Sequence, residues 1–209
     1  LHRQPIWVKI ALRKNPFAGV LFKTGGSFMH WPQKGKKNTA ETVTLALKRA
    51  AELGIGHVVV ASHTGDTALQ LAGKGLQVIC VTHHVGFAGP GEDEMSSEMR
   101  SRLSAAGIKV LTTTHLMAGL DRAVRNKFGG VYPAEIIAQT LRMFGQGVKV
   151  CTEVAGMALD AGLIPFGQDV LAIGGSGTGA DTAIIVVPAH SNNFFETKIR
   201  EIICKPRDF

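Results

Sequence analysis

Much of what would name a chemistry outright is missing from this chain. No apolar run approaches the ~18 residues of a bilayer span, so no transmembrane helix is expected. Only three cysteines occur in 209 residues, Cys80, Cys151 and Cys204. They lie far apart and form no C-x-x-C, which leaves buried free thiols in a reducing cytoplasm as the expectation. The absence of G-x-x-x-x-G-K-[ST] excludes a P-loop nucleotide hydrolase. No G-x-S-x-G elbow marks a serine hydrolase. Acidic residues are missing altogether from positions 1–27, where Arg3, Lys9, Arg13, Lys14 and Lys23 supply most of the formal net charge of +7, leaving +2 for residues 28–209. A main domain so nearly balanced argues against a nucleic-acid partner.

The basic segment is broken by Pro5, Pro16, Gly19 and Gly25-Gly26. A transit peptide, a peripheral arm and an extension of the reading frame all suit such a stretch. The reading preferred here is an extension outside the fold, with residues 28–209 as one domain. Composition supports that domain: 45% hydrophobic and 19% charged residues are ordinary for a globular protein.

Short apolar runs alternate with amphipathic stretches. Asn38-Thr39-Ala40-Glu41 has the capping-box pattern, and Val43, Leu45, Ala46, Leu47, Ala50 and Leu53 continue it as a helix that stops at Gly54. Strands are expected over His57–Ala61, Leu76–Thr82, Ile108–Thr112, Val170–Ile173 and Ala183–Val187, with a last edge strand over Ile199–Cys204. Helices are expected over Asp66–Ala72, over Ser96–Ala106, in two pieces between Met117 and Phe144, and over Val148–Asp160. Continuous apolar strands alternating with helices predict a three-layer, doubly wound α/β fold with a mostly parallel sheet. The last strands lack an intervening helix, which predicts antiparallel pairing at one edge or close to it.

Two loops spell nearly the same thing. Ser62-His63-Thr64-Gly65-Asp66-Thr67-Ala68 follows one buried strand, and Gly174-Gly175-Ser176-Gly177-Thr178-Gly179-Ala180-Asp181-Thr182 follows another. Glycine- and hydroxyl-rich turns at the carboxyl ends of parallel strands suit a phosphate, and open α/β sheets bind ligands there. Asp66 would oppose a phosphate and is expected to cap the following helix. Gly175-x-Gly177-x-x-Ala180 matches a dinucleotide fingerprint on paper, but a strand follows it and no acid stands ~20 residues on.

His63, the pair His83-His84, His115 and His190 all follow expected strands and so could converge on one sheet edge. None has the spacing of a metal site, and no metal is expected. His83 and His84 are the candidates for ligand contact or acid–base catalysis. Glu92-Asp93-Glu94 reads as a solvated acidic turn.

The order of these loops resembles the carboxy-terminal α/β domain of pyruvate kinase, and more closely the stand-alone relatives of that domain. Gly35-Lys36-Lys37-Asn38-Thr39-Ala40-Glu41-Thr42, Val81-Thr82-His83-His84, His190-Ser191-Asn192-Asn193-Phe194-Phe195 and Glu201-Ile202-Ile203-Cys204-Lys205-Pro206-Arg207 carry the resemblance. It implies flavin mononucleotide (FMN) as ligand, with Ser62, Thr64, Gly65, Asp66 and Thr67 on the phosphate. His63, Thr82, His83, His84, Gly174, Gly175, Ser176, Gly177, Thr178, Asp181 and Thr182 would line the rest of the crevice. It does not imply pyruvate kinase activity, which sits on a (β/α)8 barrel of ~250 residues. Three functions are therefore expected in competition: an FMN-binding protein, a flavin-dependent oxidoreductase if it is an enzyme; a non-catalytic, self-associating sensor of a phosphorylated metabolite; and an enzyme acting on a small phosphorylated substrate.

Overall fold

The side-chain alternation of the strands decides the layers. In the strand His57–Ala61, Val58 and Val60 enter one core and Val59 the other, and all three are fully buried. That is what a period of two requires of a strand covered on both faces. The computed structural model describes residues 28–209. The basic segment 1–27, and with it the expected extension, lies outside the described residues.

The elements in chain order are β1 (Met29–Gln33), α1 (Thr39–Leu53), β2 (His57–Ala61), α2 (Asp66–Leu69), β3 (Gln77–Val81), α3 (Ser97–Ala105), β4 (Lys109–Leu111), α4 (Gly119–Phe128), α5 (Pro133–Arg142), α6 (Gln146–Asp160), β5 (Val170–Gly174), β6 (Thr182–Val187) and β7 (Lys198–Asp208). One face of the sheet is covered by Val43, Ala46 and Ala50 of α1, Ala68 and Leu71 at and after α2, and Leu103 of α3. The other is covered by α6 through Val148, Cys151, Ala155 and Ala158. Outside α6, α5 packs on it and α4 on α5. The expected three-layer α/β fold is what forms.

The seven strands run in the order β1-β7-β6-β5-β2-β3-β4. β2 pairs in parallel with β3 and β5, β3 with β4, and β1 with β7, while β6 is antiparallel to both β5 and β7. One strand, β6, is thus reversed in an otherwise parallel sheet. The antiparallel pairing lies third from one edge because a strand not read from the sequence, β1, adds itself beyond β7. The expected edge strand Ile199–Cys204 is an eleven-residue interior strand. Met-His-Trp-Pro-Gln hides its strand character behind Pro32, which an edge position tolerates.

Local signals worked unevenly. Ser96 caps α3 by accepting from Met99 N–H at 3.1 Å. The capping box at Asn38 is not made. A 3-10 turn over Lys36–Asn38 leads straight into α1, and Asn38 Nδ2 donates instead to the Gln33 carbonyl at 2.8 Å. The helix expected over Asp66–Ala72 is a single turn ending at Leu69.

Reversal of β6 sorts the loops. Those after β2, β3, β4 and β5 emerge together at the carboxyl edge of the parallel strands, and the loop after β6 emerges at the opposite edge.

Candidate functional site

The first loop leaves β2 at Ser62, whose N–H is held by the Val81 carbonyl at 3.0 Å. Gly65 turns the chain with φ +92°, and a Cβ there would stand 2.5 Å from Met99 Cγ. Only glycine meets both demands. Asp66 does not cap α2. It is the first helical residue, and its carboxylate accepts from Thr64 Oγ1 at 3.1 Å. Ser62 Oγ takes over the capping by accepting from Thr67 N–H at 3.3 Å. With one turn of helix behind it, the macrodipole is small, so any anion here depends on hydroxyls and loop N–H groups.

The second loop is stitched down from below. Asp181 is fully buried. Its carboxylate accepts from Gly35 N–H (2.9 Å), Ser176 N–H (3.2 Å) and the Thr182 hydroxyl (2.8 Å), while its carbonyl accepts from Trp31 Nε1 (2.7 Å). One aspartate thereby fixes the glycine loop against β1 and the Lys36 turn. Thr39 completes the join, donating to the Lys36 carbonyl at 2.7 Å and accepting from Ala180 N–H at 3.0 Å. A Cβ on Gly179 would lie 2.5 Å from Thr39 Oγ1 and 2.7 Å from Lys36 Cα. This close approach goes with Lys36 and Lys37 lining the cleft next to the loop.

Between the loops lies a cleft of about 660 Å3, within the ~300–1,000 Å3 usual for small-molecule sites. Of the residues expected at the site, Ser62, His63, Thr64, Asp66, Thr67, Thr82, His83, Gly175, Gly177 and Thr178 line it. The others sit behind the wall. Gly65 faces Met99 and Leu103, and Gly174 faces Val150 and Cys151 of α6. Ser176, Asp181 and Thr182 belong to the stitch beneath. His84 is turned aside, with Nδ1 2.9 Å from the Val85 carbonyl.

Three rings stack on one wall. His63 and His83 are 5.0 Å apart between centroids at 8°, and Phe87 covers His83 at 3.9 Å and 29°. His115 meets His83 and His84 edge-on at 5.4 Å. His83 Nδ1 is 2.6 Å from Glu94 Oε2. The acidic turn is thus engaged rather than merely solvated, since Asp93 also accepts from Met95 N–H and from Arg100. Those two bonds hold its carboxyl below the usual range. His190 is not part of this group. It follows the reversed β6, pairs with Asp160 at 2.9 Å and stacks on Phe166 at the far edge.

The opposite wall was not read from the sequence. Lys149 and Glu153 form an ion pair one turn apart on α6, at 6% and 4% exposure. Glu153 also accepts from Met117 N–H at 2.8 Å. Burial pushes the Lys149 ammonium below its usual pKa; Glu153 opposes this, and the nearby Arg142 and Arg122 add to it. Burial likewise pushes His115 down to about 4, against the pull of Glu153 and with help from His83, Lys149 and His84. His115 is therefore neutral near pH 7 and offers hydrogen bonds, not charge. The signal that could have found the pair is a Lys and a Glu four apart on a helix apolar all round, since such a helix buries every face.

The cysteines are buried and free; burial raises Cys80 to about 12 and Cys204 to about 11, so neither offers a thiolate. Among the described residues no group of three His, Cys, Asp or Glu side chains is placed to hold a metal ion. No helix among them is long and apolar enough to cross a membrane.

The family model described as pyruvate kinase, alpha/beta domain, matches residues 40–187, from the first turn of α1 to the end of β6. Since that match covers well over half of the sequence, the chain belongs to the pyruvate kinase alpha/beta domain family.

Proposed function

We propose that this domain binds a phosphorylated small molecule in the cleft, FMN foremost, and that it has no pyruvate kinase activity of its own. The carrying observation is the chemistry of the lining. Lys36, Lys37, Arg122, Arg142 and Lys149 face the cleft against only two carboxylates, Asp66 and Glu153. That balance favours an anion. The hydroxyls of Ser62 and Thr67 supply neutral donors beside it, that of Thr64 being engaged by Asp66, and Gly175, Gly177 and Gly179 leave backbone open to close approach. The stacked faces of His63, His83 and Phe87 suit a flat aromatic ring. The residues present therefore fit FMN: the hydroxyl loop for its phosphate, the ring wall for its isoalloxazine. Bound flavin would supply electron-transfer chemistry that no side chain here provides.

Titration of FMN into the purified protein, followed by quenching of flavin fluorescence, tests this. Saturable 1:1 binding that is weakened at least tenfold by Thr67→Val is the expected result. No binding of FMN, together with no thermal shift from phosphate or any sugar phosphate, would sink the reading.

The sensor alternative has its own observation. Leu120 and Phe128 of α4, Ile136 of α5, and Val131, Met143 and Phe144 beside them are each more than half exposed, and α4 buries no residue at all. Large apolar side chains left exposed on two neighbouring helices and the segments beside them are what marks an interaction surface. A second copy of this chain is the occupant proposed for it. Sedimentation equilibrium of the wild type and of Phe128→Glu/Ile136→Glu would decide: a dimer that the double change turns into a monomer supports the reading, and a wild-type monomer at 100 μM ends it.

A further inference from the structure

Three cations converge on one corner of the cleft from three different helices: Arg122 from α4, Arg142 from α5 and Lys149 from α6. They are close enough that both arginines act electrostatically on Lys149. The single carboxylate among them, Glu153, is already spent on Lys149 and on Met117 N–H. Arg142 holds only a neutral partner, Gln146 Oε1, at 2.6 Å. Arg122 forms no side-chain hydrogen bond or ion pair among the described residues. Two half-buried guanidiniums thus turn into a cavity without a counter-ion, while Arg49, Arg100 and Arg125 elsewhere on the molecule are each paired with a carboxylate. Collecting like charges in a partly desolvated corner is unfavourable unless an anion completes it.

We propose that Arg122, Arg142 and Lys149 form a second anion subsite that takes the carboxylate of a small organic acid beside the phosphorylated ligand. The proposal rests on the reading of the cleft as a phosphorylated-ligand site. The hydroxyl loop at the end of β2 and the cationic corner on α4–α6 are built from different elements and offer different chemistry. One gives neutral donors with Asp66 among them; the other gives forked, permanently charged donors that match a planar carboxylate in two parallel bonds. His115 sits next to the corner as a neutral ring, able to donate to or accept from a polar group adjacent to that carboxylate. Lys149 is a positioning charge, fixed on the wall by Glu153.

The test is calorimetric titration of acetate, malonate and inorganic phosphate, at fixed ionic strength, into protein saturated with FMN and into FMN-free protein. Arg122→Gln and Arg142→Gln are the variants, both half-buried positions where the shorter glutamine keeps an unbranched polar side chain and loses the charge. Expected is malonate or acetate binding to the FMN-loaded wild type, weakened at least tenfold in either variant, with FMN affinity falling by less than it does in Thr67→Val. Loss of FMN binding in the arginine variants as severe as in Thr67→Val would overturn the proposal, because the corner would then hold the phosphorylated ligand itself. If the wild type takes no FMN, the functional reading fails separately. Arginine-dependent malonate binding to the free protein then still supports the subsite, and phosphate displacing malonate as well as it binds alone overturns its carboxylate preference. No binding of either acid in either state refutes it.

Discussion

Replacing Lys149 by methionine keeps the length of the side chain and removes its charge, leaving Glu153 buried at 4% exposure with no cation on its Oε2. Its other oxygen still accepts from Met117 N–H. Removing one partner of a buried pair costs ~3–5 kcal/mol, most of it the uncompensated charge rather than the lost contact. At ~2–4 °C per kcal/mol for a domain of 150–250 residues, the melting temperature should fall by roughly 6–20 °C. Lys149→Met/Glu153→Gln separates the two contributions, because the glutamine carbonyl can keep the Met117 bond while no charge remains. The double variant should recover most of the loss and lie within about 1–2 kcal/mol of wild type. Urea unfolding at pH 7, with equal m-values required for the comparison, measures both. Equal losses in the single and double variants would show that packing, not charge, sets the cost. A single-variant loss under about 1 kcal/mol would mean that a neighbouring guanidinium swings in to replace Lys149, and the account of a fixed pair would be wrong.

Gly147→Ala should fold poorly or lose roughly 2 kcal/mol or more, since a Cβ there would stand 2.0 Å from Thr182 Oγ1 and 2.3 Å from Thr182 Cβ; alanine's helical advantage of ~1 kcal/mol does not offset that, and thermal melting reads the sign. Gly179→Ala strains a φ of +74° and pushes on Lys36 Cα, so FMN affinity should drop more than stability does, and a change in stability alone would count against a ligand role for the Lys36 turn. His115 titrates near 4 when folded and near 6.5 when not. The unfolded chain therefore binds more protons between those values, and stability should fall as the pH drops from about 6.5 to about 4. The bound is ~3 kcal/mol, reduced by the ring's partial exposure, and His115→Gln should flatten that part of the pH–stability curve; an unchanged slope contradicts it. His83→Ala should leave stability within about 1 kcal/mol, since the ring is half-exposed, but shift the absorption spectrum of bound FMN if the ring wall holds the flavin.

The sequence disclosed what local pattern controls and concealed what topology controls. Apolar runs such as Val58-Val59-Val60 and Val170-Leu171-Ala172-Ile173 are read directly as buried strands, because period and length suffice. β1 was not legible. Its strand character depends on pairing with β7, more than 170 residues later, and on a tryptophan whose indole reaches Asp181. The hydroxyl loop was found because its composition is unusual. The cationic wall was not, because Arg122, Arg142 and Lys149 lie on three helices whose convergence no spacing encodes.

One reversed strand explains which loops could be grouped at all. A parallel strand returns every following loop to the same edge, so Ser62–Thr67, Thr82-His83-His84, His115 and Gly175–Gly179 meet after β2, β3, β4 and β5. Reading His190 into that company leaves out the antiparallel pairing expected of the last strands. Its antiparallel register, Gly174 opposite Thr182 through Val170 opposite Val186, carries the next loop to the other edge. The same reversal makes the glycine loop a tight strand-to-strand turn instead of a strand-to-helix one. Its two ends must then lie side by side, which brings Asp181 N–H within 3.1 Å of the Gly174 carbonyl and leaves no room for a Cβ at Gly175, 2.6 Å from the Gly179 carbonyl. Gly175 and Gly179 are thus set first by this hairpin closure and by the packing of Lys36 and Thr39. A wall of bare backbone toward the cleft follows from that geometry, so their resemblance to the hydroxyl loop marks a shared location in the sheet and not a shared structural cause.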